Sequence, residues 1–261
     1  MEKFRLSVSK TKTFLDCKKK YKFTYIDKLP RKEWDYHILG KFCHKVLEDF
    51  HNFYIIDNSN EPFHIAMKRA YKQAMQEYGL NMTNDMRKTC REMINQYLQI
   101  ITNDKKNHLS ANVVACEKSF SMLLDDQLVL NGAIDRIQID QDNVIHVCDY
   151  KTSKSKTYLK NDFFQLLTYA YVILSDNLDV EKIRASYIML RHDFEYITTE
   201  FLAKDILAIK DQYIEYANKI QQEQDFEANP TFLCKYCDHL EVCDEGQNKV
   251  HPKQVFGEIE W

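Results

Sequence analysis

Two acid-bearing segments, joined by a short polar link, constrain this chain most. The first runs Leu128-Val129-Leu130-Asn131-Gly132-Ala133-Ile134-Asp135-Arg136-Ile137 and the second Val144-Ile145-His146-Val147-Cys148-Asp149-Tyr150-Lys151-Thr152. Both alternate or run apolar, as half-buried or buried β-strands do. Residues two apart on a strand share a face, so Asp149 and Lys151 point the same way. Asp135 sits opposite them if the two strands pair in register. Two hard oxygen ligands and one cation are the minimal kit for metal-assisted phosphodiester cleavage.

The rest of the composition sets limits on this picture. A chain of 261 residues can close a full core, and one domain with extensions, 1–261, is expected rather than two. Only 5 Gly and 4 Pro interrupt it, so long helices are expected. The charged start, Met1-Glu2-Lys3-Phe4-Arg5, is unlike a secretory signal, and no apolar run approaches the roughly 18 residues of a membrane span. The expectation is a cytoplasmic protein (bacterial, archaeal, or in the host cytoplasm if phage-encoded), not a membrane partner. Its eight cysteines then meet a reducing compartment and suit a metal better than disulfides.

Net charge is −3, but residues 1–45 hold 13 Lys and Arg against 5 Asp and Glu, leaving −11 for the remainder. Lys151 to Lys160 adds four lysines and no acid directly after the second strand. Basic surface beside an acidic centre suits a phosphate backbone. Lys18-Lys19-Lys20 reads equally well as a solvated helix face.

The chain order reads as helices, strands, then helices. Ser7 or Ser9 caps a first helix to about Ile26, and others cover Trp34 to about Ile56, Pro62 to about Tyr78 and Thr83 to about Thr102. Strands follow near 112–123, 127–139 and 143–151. A helix at about 159–175 precedes a hairpin, 183–191 and 194–201, around His192-Asp193. A long helix covers about 203–222, and after Pro230 comes a compact Cys-containing tail. Residues 1–110 are thus mostly helical, 111–201 form a sheet core, and 229–245 form the tail.

His44 and Glu48 are four apart on one helical face, and a neutral imidazole there could complete a metal site. Taken alone, His44 reads as a core or surface histidine. Gln165 and Tyr169, also four apart, read alone as packing and solvent contact. Glu117 reads as an ordinary strand-surface charge, with metal or ligand contact as the other reading.

Taken together these residues resemble the RecB-type branch of the PD-(D/E)xK nuclease superfamily. The matching residues are Gly40-x3-His44-x2-Leu47-Glu48, Gly132-x2-Asp135-Arg136, Asp149-Tyr150-Lys151-Thr152 and Gln165-x3-Tyr169. Leu6-Ser7-Val8-Ser9 with Phe14-x2-Cys17-x3-Tyr21-x-Phe23 also resembles that branch. The resemblance spans roughly residues 5 to 245. It departs at Asp149, where glutamate is commoner. It implies an α/β fold: a restriction-endonuclease-like core, a central mixed β-sheet of about five strands flanked by helices, and an N-terminal helical region joined to the Cys tail.

Cys234-x2-Cys237-x5-Cys243 is a compact thiolate set. Cys17 lies where iron–sulfur members of that branch place a fourth ligand, so the resemblance implies a 4Fe–4S cluster tying the two ends together. Zinc, with His239 as a local ligand, is the alternative, although zinc sites usually bring two close pairs. Cys43, Cys90, Cys116 and Cys148 lack such spacing and read as buried thiols.

The resemblance further implies Mg²⁺ or Mn²⁺ held by His44, Asp135, Asp149 and the carbonyl of Tyr150, with Lys151 catalytic and Gln165 and Tyr169 positioning the strand or the lysine. The function it implies is a metal-dependent DNA exonuclease of recombination, replication, repair or CRISPR adaptation, acting on single strands or duplex ends. It could work as a homo-oligomer or beside recombination, helicase or adaptation proteins. A subunit active only in a larger complex and a catalytically silent nucleic-acid-binding scaffold are the alternatives. The chain lacks a Gly-x4-Gly-Lys-Ser/Thr loop, so it carries no helicase motor of its own.

Overall fold

The computed structural model describes residues 3–53, 60–103, 112–177 and 179–252. They divide into two compact units, one built from the start of the chain and Trp34–Ile214, the other from Leu6–Glu33 and from Glu215 onward.

The first unit carries the sheet. Its strands are β1 (Phe4–Leu6), β2 (Asn112–Leu123), β3 (Leu128–Ile139), β4 (Ile145–Lys151), β5 (Lys182–Met189) and β6 (Glu195–Leu202). The order is β1-β3-β4-β5-β6, with β2 paired to β3. β3 meets β2 and β4 antiparallel, and β4 runs parallel to β5, so the sheet is mixed. A parallel pair needs a crossover, and α6 (Phe164–Asp176) supplies it. β5 returns to β6 through the expected turn at His192-Asp193. The three-residue β1 raises the strand number above the expected five, being too short to show an alternating pattern.

Buried positions explain why these segments take their places. Val147, Cys148, Asp149 and Tyr150 are all buried, as befits a central strand covered on both faces. Cys148, Tyr150 and Ile188 join one core with Phe42, Val46 and Phe50 of α3 (Asp35–His51), Met67 and Ala70 of α4 (Phe63–Tyr78), and Cys90 and Tyr97 of α5 (Asn84–Thr102). α6 packs against β4 and β5 and buries Leu166 and all of Thr168 to Leu174. Thr83 caps α5 by accepting a hydrogen bond from the Met86 amide. The expected end of the Trp34 helix, Ile56, lies outside the described residues.

In the second unit, Ser7 caps α1 (Val8–Asp16) by accepting from the Lys10 amide. The expected continuous helix to Ile26 is broken at Cys17, which takes extended φ −162. Its sulfur then caps α2 (Lys18–Tyr21), and a π turn covers Lys22–Ile26. Sulfur capping a new helix explains a break that helical periodicity does not signal. Two further helices are shorter than expected. α6 starts at Phe164 after a 3₁₀ turn, Thr157–Lys160, and the 203–222 helix splits into α7 (Ala203–Leu207) and α8 (Ile209–Gln222). The tail forms two 3₁₀ turns and α9 (Asp244–Val250). No helix among the described residues is long and apolar enough to cross a membrane.

Candidate active site

The β3–β4 register ends at the pair Arg136–Cys148, and Asp135 and Asp149 are the next residues beyond it on the two strands. Asp135 Oδ2 accepts a hydrogen bond of 2.8 Å from the Tyr150 amide, which locks the first acid onto the second strand. Both carboxylates are buried, Asp135 8% and Asp149 2% exposed. Burial, and the charge of Asp149 beside it, push the Asp135 pKa up to about 7.

Asp149 and Lys151 share a face, as period two requires, and Lys151 Nζ forms an ion pair with Asp149 Oδ2. α6 presents Gln165 to the same spot. Its Nε2 donates to Asp149 Oδ1 at 2.6 Å and to the Tyr169 hydroxyl at 2.8 Å, while its Oε1 accepts from Lys151 Nζ at 3.0 Å. Gln165 and Tyr169, four apart on one helical face, therefore join Asp149 and Lys151 of β4 in one network. Lys151 Nζ also lies 5.2 Å over the Tyr187 ring. Burial drives the Tyr169 hydroxyl pKa well above its ordinary value, so it stays protonated.

α3 brings His44 to the other side of Asp135. Nε2 lies 2.9 Å from the Tyr150 carbonyl and Nδ1 3.3 Å from Asp135 Oδ2. Burial alone would lower the His44 pKa. The Asp135 and Glu117 carboxylates outweigh it and lift the value to about 9. Glu48, on the same helical face by spacing, instead takes Lys45 Nζ at 3.0 Å.

Glu117 lies at this centre, although its strand position reads first as ordinary surface charge and only second as metal or ligand contact. His44, Glu117 and Asp135 each offer a donor atom within 4.8 Å of the others. The backbone at Glu117 is left-handed, φ 46, between the pairs Cys116–Arg136 and Lys118–Ile134. No sequence pattern announces a left-handed glutamate inside a strand. Gly132 has a visible reason to be glycine: an added Cβ would lie 2.7 Å from Phe120 Cζ, and the Phe120 ring meets the edge of Tyr169.

In the second unit, Cys17, Cys234, Cys237 and Cys243 line one cavity with Lys20, Phe23 and His239. Backbone amides point at three of the sulfurs: Lys20 and Asn229 at Cys17, Thr231 at Cys234, and Gly246 at Cys243. His239 is buried and its Nε2 lies 2.9 Å from the Thr24 hydroxyl. Cys43 and Cys90 are buried against each other, with sulfurs 3.5 Å apart.

The chain is 22% identical over 252 residues to an ATP-dependent helicase/deoxyribonuclease subunit of Streptococcus agalactiae serotype Ia, an alignment covering 88% of this chain and 22% of that protein. The Streptococcus pyogenes serotype M1 protein of the same name is 25% identical over 188 residues, 63% of this chain and 16% of that one. The chain thus spans about a fifth of the length of the curated relatives it matches. A crystal structure of a candidate exonuclease from Eubacterium rectale shares the fold, with a TM-score of 0.53 at 12% identity, covering 98% of this chain and 91% of that one. The PD-(D/E)XK nuclease superfamily model matches residues 5–244. With that match over nearly its whole length, the chain belongs to the PD-(D/E)XK nuclease superfamily.

Proposed function

We propose that this nuclease is a divalent-metal-dependent deoxyribonuclease that degrades DNA from strand ends. The observation that carries the reading is the crowding of Asp135 and Asp149 beside Lys151. Two buried acids, one of them pushed up to about 7, gain most from a cation placed between them. Carboxylates, a carbonyl and an imidazole suit Mg²⁺ or Mn²⁺, with the imidazole favouring Mn²⁺. Asp135, Asp149, His44 and the Tyr150 carbonyl would hold the ion. Such a cation activates water and neutralises charge on the scissile phosphate.

The chain's own groups supply the rest. Lys151 stabilises the charge that builds on the phosphoryl oxygens. Gln165 fixes the lysine against Asp149, and Tyr169 fixes Gln165. The basic lysines after β4 draw in the phosphate backbone. The relatives' names, deoxyribonuclease, favour DNA over RNA, and action on ends rests on the motif resemblance.

The four tail and helix cysteines would hold a 4Fe–4S cluster with a bracing role. One cavity lined by all four, with amides aimed at three sulfurs, supports that reading. The one-plus-three spacing favours it over zinc, and the Nε2 of His239 is already engaged by Thr24.

A second reading has its own support: the relatives are named as subunits of a helicase/deoxyribonuclease, so this chain could work only beside a partner protein. End-labelled and internally labelled single- and double-stranded DNA, incubated with the purified chain and Mg²⁺ or Mn²⁺, tests both. Metal-dependent release of short products from ends supports the first. Activity that requires added partner supports the second, and internal cuts alone would overturn action from ends.

A further inference from the structure

We propose that Glu117 is the outer carboxylate of the metal centre, a positioning residue that acts through His44. The inference rests on the metal site proposed above. An imidazole that ligates through one ring nitrogen works best when an acceptor fixes its other N–H, because this sets the ring angle and raises ligand basicity. His44 offers two distinct nitrogens. Nε2 faces the Tyr150 carbonyl at 2.9 Å, on the side of the ligand set. Nδ1 faces two carboxylates, Asp135 at 3.3 Å and Glu117 at 3.7 Å.

Asp135 has other obligations. Its Oδ2 accepts from the Tyr150 amide, and it belongs to the ligand set itself. Drawn toward a cation, it would leave Nδ1 to the second carboxylate. Glu117 stands ready for that role. Its side chain is 30% exposed, so a small rotation closes the remaining gap without disturbing the core. The backbone agrees with a placed residue: φ is 46 in mid-strand, while the flanking Cys116 and Lys118 keep their pairing with β3. Glutamate does not favour that region, and the local geometry brings its carboxylate to the imidazole.

The test is Mn²⁺ affinity of the full chain, read from the EPR signal of free Mn²⁺ and so independent of cleavage. Glu117→Ala should weaken Mn²⁺ binding by about 10–100-fold, the usual loss for an outer partner. Glu117→Gln, which keeps an acceptor for Nδ1–H, should lose less. In a His44→Ala background, Glu117→Ala should change affinity by less than about twofold, because its effect passes through the imidazole. Should Glu117→Ala fail to fold by circular dichroism, the same cycle is run with Glu117→Gln. Unchanged affinity in the Glu117 single variants overturns the proposal. So does an additive loss in the double variant, which would make Glu117 a direct ligand. Wild-type protein that binds no Mn²⁺ would remove the metal centre itself, whereas binding that depends on Asp135 and Asp149 but not on Glu117 overturns only this inference.

Discussion

Lys151 lies where holding a metal and doing chemistry can be separated by mutation. Its Nζ is fixed by Asp149 and Gln165, yet an ammonium is not a metal ligand. Lys151→Ala should therefore lower cleavage about a hundredfold or more while sparing Mn²⁺ binding, because the role proposed for it belongs to the transition state. Asp135→Ala and Asp149→Ala should abolish both. Single-turnover rates beside EPR affinities check this, and wild-type cleavage by Lys151→Ala would remove that residue from the mechanism. The side-by-side placing of Asp149 and Lys151 was legible because strand period is two, and that of Gln165 and Tyr169 because helix neighbours are four apart. Glu117 was not, because its carboxylate reaches His44 through a left-handed backbone that no alternation of polar and apolar residues encodes. Glu48 shows the converse: sharing a helical face with His44 did not bring it to the centre, since Lys45 claims it first.

At the scale of strands and helices, β3 and β4 carry a second polar group, away from the acids. His146 is 4% exposed, with Nδ1 3.0 Å from Asp140 and Nε2 2.8 Å from Ser186. Burial alone would lower its pKa, but Cys148 and the Asp140 carboxylate raise it to about 9. A raised value means that the charged ring stabilises the fold fully below the ordinary histidine range, and that this stability is lost as pH climbs through about 9. Urea unfolding of the wild type at pH 6.5 and 9.5 should show an extra loss, on the order of 3 kcal/mol at most, compared with His146→Gln. Equal losses in the two proteins would mean that the pair does not titrate. Gly132 makes a separate prediction. Gly132→Ala forces the Phe120 ring aside and should cost about 1–3 kcal/mol, with Gly132→Ala/Phe120→Leu recovering much of it. Thermal unfolding of the two variants decides. The long periodic elements, α3 to α5 and β2 to β6, were readable because each buries one patterned face or a continuous run. β1 was too short to carry a pattern, and the break at Cys17 arises from a sulfur cap that propensity does not price.

Across the whole chain, positions 17 and 234–243 fall in one unit and their cysteines line one cavity, and the expectation they raise is the most demanding. Other contacts also join these ends: Lys19 Nζ meets Glu245 at 2.7 Å, and the Asn229 side chain donates to the Asp16 carbonyl at 3.0 Å. Both are exposed, and exposed contacts contribute little, so they are weak restraints on the two 3₁₀ turns of the tail, which bury none of their own residues. A cluster held by four thiolates would supply the missing restraint, since a site absent from the unfolded chain adds its binding free energy to folding. Protein purified without air should be brown and carry about four irons per chain. Cys17→Ser should lose iron as fully as Cys237→Ser, despite the long sequence separation, whereas Cys116→Ser should keep it. Both iron-free variants should melt at lower temperature than the wild type, and chelation of the wild type should reproduce that shift. Colourless protein with one zinc per chain would replace the cluster by zinc. Full iron in Cys17→Ser would show that the tail binds its metal without help from the first helices.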